Sequence, residues 1–146
     1  MNWYLDRLKD GEKNWALLRV ATYPEVGSHE IGLRRHYLVK TPLFGIYLHE
    51  MYNRDPLGAA LHDHQWNFLS VVLRGRGYWE RLAGTNLVWH RWMRPRFRQA
   101  EVPHSIIALE RTPTWTLCIV GRNKHKWGRY EPTGWEPGFR RNGRQQ

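Results

Sequence analysis

Residues 58–75 read GAALHDHQWNFLSVVLRG and include the most informative triplet of the sequence, His62-Asp63-His64. His62 and His64 are two residues apart, so in a strand their side chains lie on the same face, roughly 6.6 Å apart along the chain. Two imidazoles placed in this way can bind one metal ion, each at about 2.0–2.1 Å. The pair by itself is a weak signal, because hydrogen bonds could satisfy both rings equally well.

A third histidine follows the proline of Val102-Pro103-His104, where another strand is predicted to begin. Closure of a β-barrel would bring that strand beside the first. The three imidazoles would then meet in a mostly apolar cavity, in which unpaired polar rings are costly. Binding of one metal ion by His62, His64 and His104 would satisfy all three.

From residue 36 onward, short β-rich runs alternate with Gly, Pro, Asn and Asp, which predicts an all-β barrel or sandwich. The run Arg74-Gly75-Arg76-Gly77 is predicted to be a hairpin turn, because glycine adopts positive φ at little cost. The strands are predicted at residues 44–51, 59–64, 68–73, 78–81, 87–92, 97–102, 105–109 and 115–120.

The two ends of the chain have a different character. Residues 3–9 are predicted to be helical, and residues 14–20 fit either a helix or a strand. The segment from Trp127 onward is rich in Gly, Pro and Arg and is predicted to cross the barrel surface. The chain thus divides into an N-terminal extension (1–30), a barrel (31–130) and a basic C-terminal tail (131–146).

The composition is that of a single folded domain. A chain of 146 residues can build one core but not two, and nine tryptophans are typical of a folded protein. No apolar run reaches the roughly 18 residues that a membrane span needs, and residues 1–6 lack the pattern of a signal peptide. Cys118 is the only cysteine, which excludes an internal disulfide and predicts a buried, inert thiol. We therefore expect a cytoplasmic protein.

The net charge of +10 is unevenly distributed along the chain. Residues 1–30 carry −1, residues 31–120 carry +6 and residues 121–146 carry +5. Such an excess attracts anions, including nucleic acid, nucleotides and phosphorylated sugars. A solvated basic surface without a partner explains the charge equally well.

Two stretches resemble the motifs of the cupin superfamily. Residues 58–64 with residues 71–75 resemble the first cupin motif, which has a glycine, His-x-His, a later glutamate and a glycine at a turn. Val102-Pro103-His104 resembles the second motif, whose histidine completes the metal site. The stretch HDHQWNF at residues 62–68 is also similar to small, uncharacterised phage and bacterial cupin-like proteins. The resemblance covers residues 36–130 and implies a single-domain double-stranded β-helix, or jelly-roll barrel, here with a short N-terminal helical extension.

One departure from the cupin motif concerns its glutamate. This chain has Phe68 and Leu69 at that point, neither of which binds a metal, and Asn67 is the nearest candidate for a fourth ligand through its amide oxygen. Three neutral histidines leave positions open for water, oxygen or substrate. The set resembles the three-histidine iron site of thiol dioxygenases, which are cupins. The resemblance implies a divalent metal, with Fe(II) as the first choice and Mn, Ni or Zn after it.

Five further residues are candidates for ligand contacts: His49, Trp66, Arg74, Glu80 and Arg96. Strand parity turns His49 and Trp66 toward the pocket, and Arg74 and Glu80 flank the predicted hairpin. Arg96 alternates with other arginines along a strand, where a guanidinium can bind phosphate or carboxylate through two hydrogen bonds. The alternatives are a satisfied core histidine for His49 and a basic strand edge that discourages aggregation for Arg96.

The leading hypothesis is a metal-binding cupin that acts on a small anionic molecule. A reaction of the non-haem iron dioxygenase type is the first choice and isomerisation the second, with no catalytic residue assigned. The alternative is a non-catalytic binding module for a nucleotide, a signalling molecule or nucleic acid, of a phage accessory or anti-defence type. Cupins often dimerise, so the resemblance also implies a homodimer.

Overall fold

The computed structural model describes residues 16–24, 30–53, 61–84 and 87–137. The predicted N-terminal helix at residues 3–9, the cupin-motif Gly58 and the end of the basic tail lie outside these ranges. Within them every regular element is a strand, and no helix is long and apolar enough to span a membrane.

The described residues form two six-stranded antiparallel sheets, which confirms the predicted all-β jelly roll. The first sheet has the order β1-β2-β3-β10-β5-β8 and the second the order β12-β11-β4-β9-β6-β7. The strands are β1 (Ala16–Pro24), β2 (Ile31–Lys40), β3 (Gly45–Met51), β4 (Leu61–His62), β5 (Phe68–Arg74), β6 (Gly77–Leu82), β7 (Leu87–Arg91), β8 (Arg96–Arg98), β9 (His104–Leu109), β10 (Thr114–Val120), β11 (Gly128–Glu131) and β12 (Gly134–Pro137).

Alternation along the strands places the core between the two sheets. In β10 the buried residues are Thr114, Thr116, Cys118 and Val120, each separated from the next by a more exposed one. Period-two burial is the pattern of a strand with one face against the core. Cys118 is buried as predicted, and burial raises the pKa of its thiol to about 11, so the thiolate is not populated near neutral pH.

Most predicted strands agree with the structure to within one residue at each end, but two are shorter. The strand predicted over 97–102 ends at Arg98, because the chain turns there and the N–H of Val102 donates to the Gln99 carbonyl at 3.3 Å. The strand predicted over 59–64 comprises only Leu61–His62 among the described residues.

The predicted hairpin at residues 74–77 is wrong in one respect. The chain does turn there, with φ of 102° at Gly75 and 70° at Arg76. However, β5 and β6 belong to different sheets, because both edges of β5 are already occupied by β10 and β8. The turn therefore carries the chain from one sheet to the other, and β6 pairs with β9 and β7 instead.

The segment from Trp127 onward adds strands that its composition did not predict. β11 and β12 form a hairpin that extends the second sheet beside β4. The carboxylate of Asp63 holds this hairpin in place, accepting the backbone N–H of Gly128 at 2.5 Å and the indole N–H of Trp135 at 2.9 Å. At the other end of the chain, residues 16–20, ambiguous in the sequence, belong to strand β1, which pairs with β2.

Candidate metal centre

Three histidines converge inside the barrel, two of them on neighbouring strands and the third just after the end of one of these strands. His62 on β4 lies directly opposite His104 on β9, and His64 follows two residues later, its backbone N–H bound to the Ala100 carbonyl at 3.0 Å. The ring centroids are 4.8–5.2 Å apart. One ring nitrogen from each histidine lies within 4.8 Å of the others, a spacing that could hold a metal ion. The pairing of β4 with β9 thus brings together the three residues named from the sequence.

The nitrogens of two of these rings face each other at short range. His64 Nε2 and His104 Nε2 are 2.7 Å apart. Burial, followed by the proximity of His104 and His62, holds the pKa of His64 well below its ordinary value, so its imidazole is neutral. Neutral imidazole is the form that binds metals, and a cation accepts lone pairs from both nitrogens at once. The donor chemistry of the set therefore fits a divalent metal ion.

A buried carboxylate lies behind His104. Glu80 on β6 is 2% exposed, and its Oε1 accepts the Nδ1–H of His104. Its Oε2 binds His90 Nε2 at 2.5 Å and accepts a hydrogen bond from Arg98. Because a carboxylate only accepts, Nδ1 of His104 carries a proton, which leaves Nε2 as the nitrogen that can bind a metal. Sequence reasoning named Glu80 as a ligand contact, and the structure places it against His104.

The pKa of Glu80 has two opposing causes. Burial by itself raises it, but the hydrogen bonds from His104 and His90 outweigh burial and hold the pKa well below its usual range. Glu80 is therefore ionised at neutral pH. A carboxylate that orients a metal-binding histidine in this way raises the basicity of the ligand nitrogen.

Asp63 and Asn67, the two other polar residues near these histidines in the sequence, accept hydrogen bonds from backbone N–H groups. Asp63 is 2% exposed and, as strand alternation predicts, faces the β11–β12 hairpin and not the histidines. The Asn67 amide oxygen accepts the N–H of Ala100 at 2.8 Å, which uses one of its lone pairs. Asn67 as a fourth ligand stays a prediction.

Aromatic rings pack against the histidines on one side. The Trp66 ring stacks on His64 with centroids 4.9 Å apart and an interplanar angle of 19°. Phe68 lies 4.9 Å from His64 and 6.1 Å from His104, measured between ring centroids. Trp66 is thus beside the site although the strand on which it was predicted ends at His62, and these rings fix the orientation of His64.

The first sheet contributes an arginine that sequence reasoning missed. Arg35 on β2 lies directly opposite His49 on β3, and its Nε donates to His49 Nε2 at 2.8 Å. His49 therefore carries its proton on Nδ1, which lies 3.5 Å from the Cys118 sulfur. Burial, then the charge of Arg35, lowers the pKa of His49 well below its ordinary value, so its ring is neutral. Nothing in the sequence near Arg35 marks it; only the register of β2 on β3 identifies its partner.

A cavity of about 250 Å³ opens next to Trp66. Its lining also includes Tyr47, Phe44 and the basic side chains of Lys40 and Arg122. Tyr47 and Trp66 lie 6.1 Å apart between ring centroids, so the two rings together form one wall of the cavity. A ligand in this cavity would be one side chain away from His64.

Two of the arginines predicted at the ligand site lie elsewhere. Arg74 and Arg96 are both exposed. Arg74 lines an open surface groove of about 480 Å³ together with Arg76, Arg91, Trp89 and Trp92. The structure brings neither residue to the three histidines. Arg98, two positions after Arg96, instead reaches inward to Glu80.

Comparisons with known proteins identify the architecture. No protein-family model and no curated protein sequence matches the chain. Among solved structures, Rru_A2000 from Rhodospirillum rubrum, a cupin-2 domain, has a TM-score of 0.60 at 17% identity over 80% of this chain and 77% of that protein. Fe(II) HppE has a TM-score of 0.53 at 18% identity, covering 70% of this chain and 55% of that one. The chain has the jelly-roll fold of the cupins.

Proposed function

We propose that this protein is a metal-dependent cupin that acts on a small anionic molecule, with the metal held by His62, His64 and His104. The observation that carries the proposal is the convergence of three imidazole nitrogens within 4.8 Å of one another inside the barrel. Fe(II) is the first choice because the set resembles the three-histidine iron site of thiol dioxygenases, and Mn, Ni or Zn are the alternatives. When bound, such an ion supplies a Lewis acid or a redox centre with open coordination positions.

Other residues orient the ligand nitrogen, restrict water and attract the anion. Glu80 holds the proton of His104 on Nδ1 and so keeps the ligand nitrogen oriented. Trp66 and Phe68 cover one side of the site with apolar surface and restrict water. Lys40 and Arg122 line the cavity beside Trp66, where positive charge attracts an anion. Oxidation is the reaction type we place first.

Metal analysis tests this proposal. We expect the purified protein to bind one Fe(II) or Co(II) per chain under anaerobic conditions, and His62→Ala and His104→Ala to lose that binding while remaining folded. His36→Ala is the matched control, because His36 is a partly buried histidine whose partners are Glu50 and Trp115. Equal metal binding by the His62, His104 and His36 variants would refute the assignment.

A second candidate function is nucleic-acid binding, which the surface groove favours. Arg74, Arg76 and Arg91 line it beside Trp89 and Trp92, and Trp92 is 56% exposed. Arginines with exposed aromatic rings are the combination that binds single strands, through phosphates and stacked bases. If the protein binds nucleic acid, we expect it to retard single-stranded oligonucleotides. Its affinity for them should fall steeply as the salt concentration rises.

A further inference from the structure

The face of the first sheet that points away from the barrel carries two rows of mostly apolar side chains. The strand registers place the members of the first row side by side across β3, β10, β5 and β8: Ile46, Ile119, Leu69 and Phe97. The second row crosses β1, β2, β3, β10 and β5 in the same way: Val20, His36, Leu48, Leu117 and Val71. Together these two rows, the outer apolar face, reach all six strands of the sheet.

This face is apolar where a face in contact with water would be polar. A sheet with one face on the core and the other in water has apolar residues inside and polar residues outside. Here the polar side chains of Thr116 and Ser70 point inward and are buried, whereas Ile119, Leu69 and Phe97 are 43%, 39% and 60% exposed. Every described element is a strand of one of the two sheets, so nothing in the described part of the chain covers this face. Contiguous exposed apolar patches mark interaction sites.

The charges of the protein favour an uncharged partner for this face. The chain has a net charge of +10, yet neither row contains a lysine, an arginine or an acidic residue. The next row of the sheet places Arg34 opposite Glu50, and the two form an ion pair with Nη1 and Oε2 3.8 Å apart. An anionic partner therefore finds no counter-charge on the outer apolar face. Two copies of the chain can meet there without bringing unpaired cations into contact.

The size of the face matches what a pair of copies needs. Six strands about 4.8 Å apart make the sheet about 24 Å wide, and the seven residues of β3, β5 and β10 extend it by about 23 Å along the strands. Two such faces in contact bury roughly 1,100 Å², and a specific interface needs about 1,000 Å². An apolar centre beside a charged row also matches the usual division of an interface into core and rim.

We propose that the outer apolar face is the surface through which two copies of this chain form a homodimer. Each copy covers the apolar rows of the other, with Ile119, Leu69 and Leu117 in the centre of the contact. The same patch is used on both subunits, so the assembly closes at two copies. The inner faces of both barrels stay as they are, and the dimer therefore does not depend on the proposed metal centre.

The test measures the mass of the full-length protein in solution by sedimentation velocity, from about 1 to about 100 µM protein, because dimerisation depends on concentration. We expect the wild type to form a dimer. Ile119→Lys and Leu69→Lys should each weaken dimerisation by about a hundredfold or more, since each variant places two unpaired cations in an interface without water. Ile119→Leu should keep the affinity within about tenfold. Leu87→Lys is the matched control, because Leu87 is an exposed leucine on β7 of the second sheet, and it should match the wild type.

Two measurements on the wild type do not require any variant to fold. Hydroxyl-radical footprinting above and below the dissociation constant should show that Phe97 and Ile119 lose labelling in the dimer, whereas Leu87 does not. Raising the NaCl concentration from about 50 to about 500 mM should leave the affinity unchanged or increase it. Two copies that each carry +10 repel each other, and salt screens that repulsion.

Several results would overturn the proposal. A wild-type protein that stays monomeric at about 100 µM would show that another occupant covers the face. A dimer that survives in both lysine variants, or that Leu87→Lys weakens equally, would place the interface elsewhere. A tenfold or greater loss of affinity at high salt would mean that charged groups, and not the apolar rows, hold the copies together. Metal content is measured on the same samples, and it should be equal in the wild type and in Ile119→Lys.

Discussion

Replacing Glu80 with Gln removes one negative charge from the buried network behind His104 and leaves the size of the side chain unchanged. Glu80 is 2% exposed and binds His104, His90 and Arg98. Removing one partner from a buried charged pair typically lowers the free energy of unfolding by about 3–5 kcal/mol. A lost second-shell carboxylate typically weakens metal binding by about 10- to 100-fold. We expect both effects in Glu80→Gln, because the same carboxylate stabilises Arg98 and orients His104.

Two measurements on the same samples separate these effects. Urea unfolding of the metal-free protein gives the change in the free energy of unfolding, and competition with a chromophoric chelator gives the Zn(II) or Co(II) affinity of the folded protein. Glu50→Gln is the matched control, since Glu50 is also a buried carboxylate with histidine and arginine neighbours. Its partners, His36 and Arg34, are not among the proposed ligands. It should therefore lose stability while keeping the wild-type metal affinity.

A folded Glu80→Gln protein whose metal affinity stays within twofold of the wild type would contradict this role of Glu80. Such a result would mean that the position of His104 does not depend on its Nδ1 hydrogen bond. An equal loss of metal affinity in Glu50→Gln would also contradict this role, because the loss of affinity would then result from lower overall stability and not from the contact with His104.

Two further perturbations test other parts of the structure. Asp63→Asn should weaken the contacts with Gly128 and Trp135 and lower the free energy of unfolding by about 1–3 kcal/mol. It should also lower the hydrogen-exchange protection of residues 128–137. Unchanged protection there would contradict the role of Asp63 in anchoring the hairpin. The metal-free protein should lose stability as the pH falls below about 6.5. The pKa values of His49 and His64 are lowered in the folded state, so below 6.5 the unfolded chain binds more protons. Below that pH, each of the two histidines lowers the free energy of unfolding by about 1.4 kcal/mol per pH unit. Urea unfolding midpoints that stay constant from pH 7 to pH 5.5 would contradict this prediction.

The sequence was most informative where local pattern and chemistry coincide. His62 and His64 are two residues apart at the end of strand β4, and His104, directly after a proline, begins the neighbouring strand β9. The β-rich runs at residues 44–51 and 115–120 predicted the central strands β3 and β10 to within one residue at each end. The histidine spacing, the position of the proline and the strand runs all depend on residues close together in the chain, so they can be read from the sequence.

Glu80 and Arg35 could not be assigned in the same way, because their roles depend on pairing between distant strands. Glu80 was placed near the ligand on the assumption that residues 74–77 form a hairpin. The turn instead passes between sheets, so β6 pairs with β9 and Glu80 faces His104. Arg35 acquires its position from the register of β2 on β3, and that register is set by the whole sheet. The β11–β12 hairpin likewise depends on the distant carboxylate of Asp63.

Under the proposed function, the charges inside the barrel favour an anionic ligand at a metal site that has no carboxylate ligand. The negative charge of Glu80 is balanced by Arg98, and the carboxylate of Asp63 faces the hairpin, so neither offsets the charge of a metal held by three neutral histidines. Arg35 adds a further positive charge on the opposite sheet. A protein-derived carboxylate ligand, such as the cupin-motif glutamate that Phe68 and Leu69 replace, would remove part of that excess. Its absence leaves the excess for a bound anion to neutralise, which favours anionic over neutral ligands of the same shape.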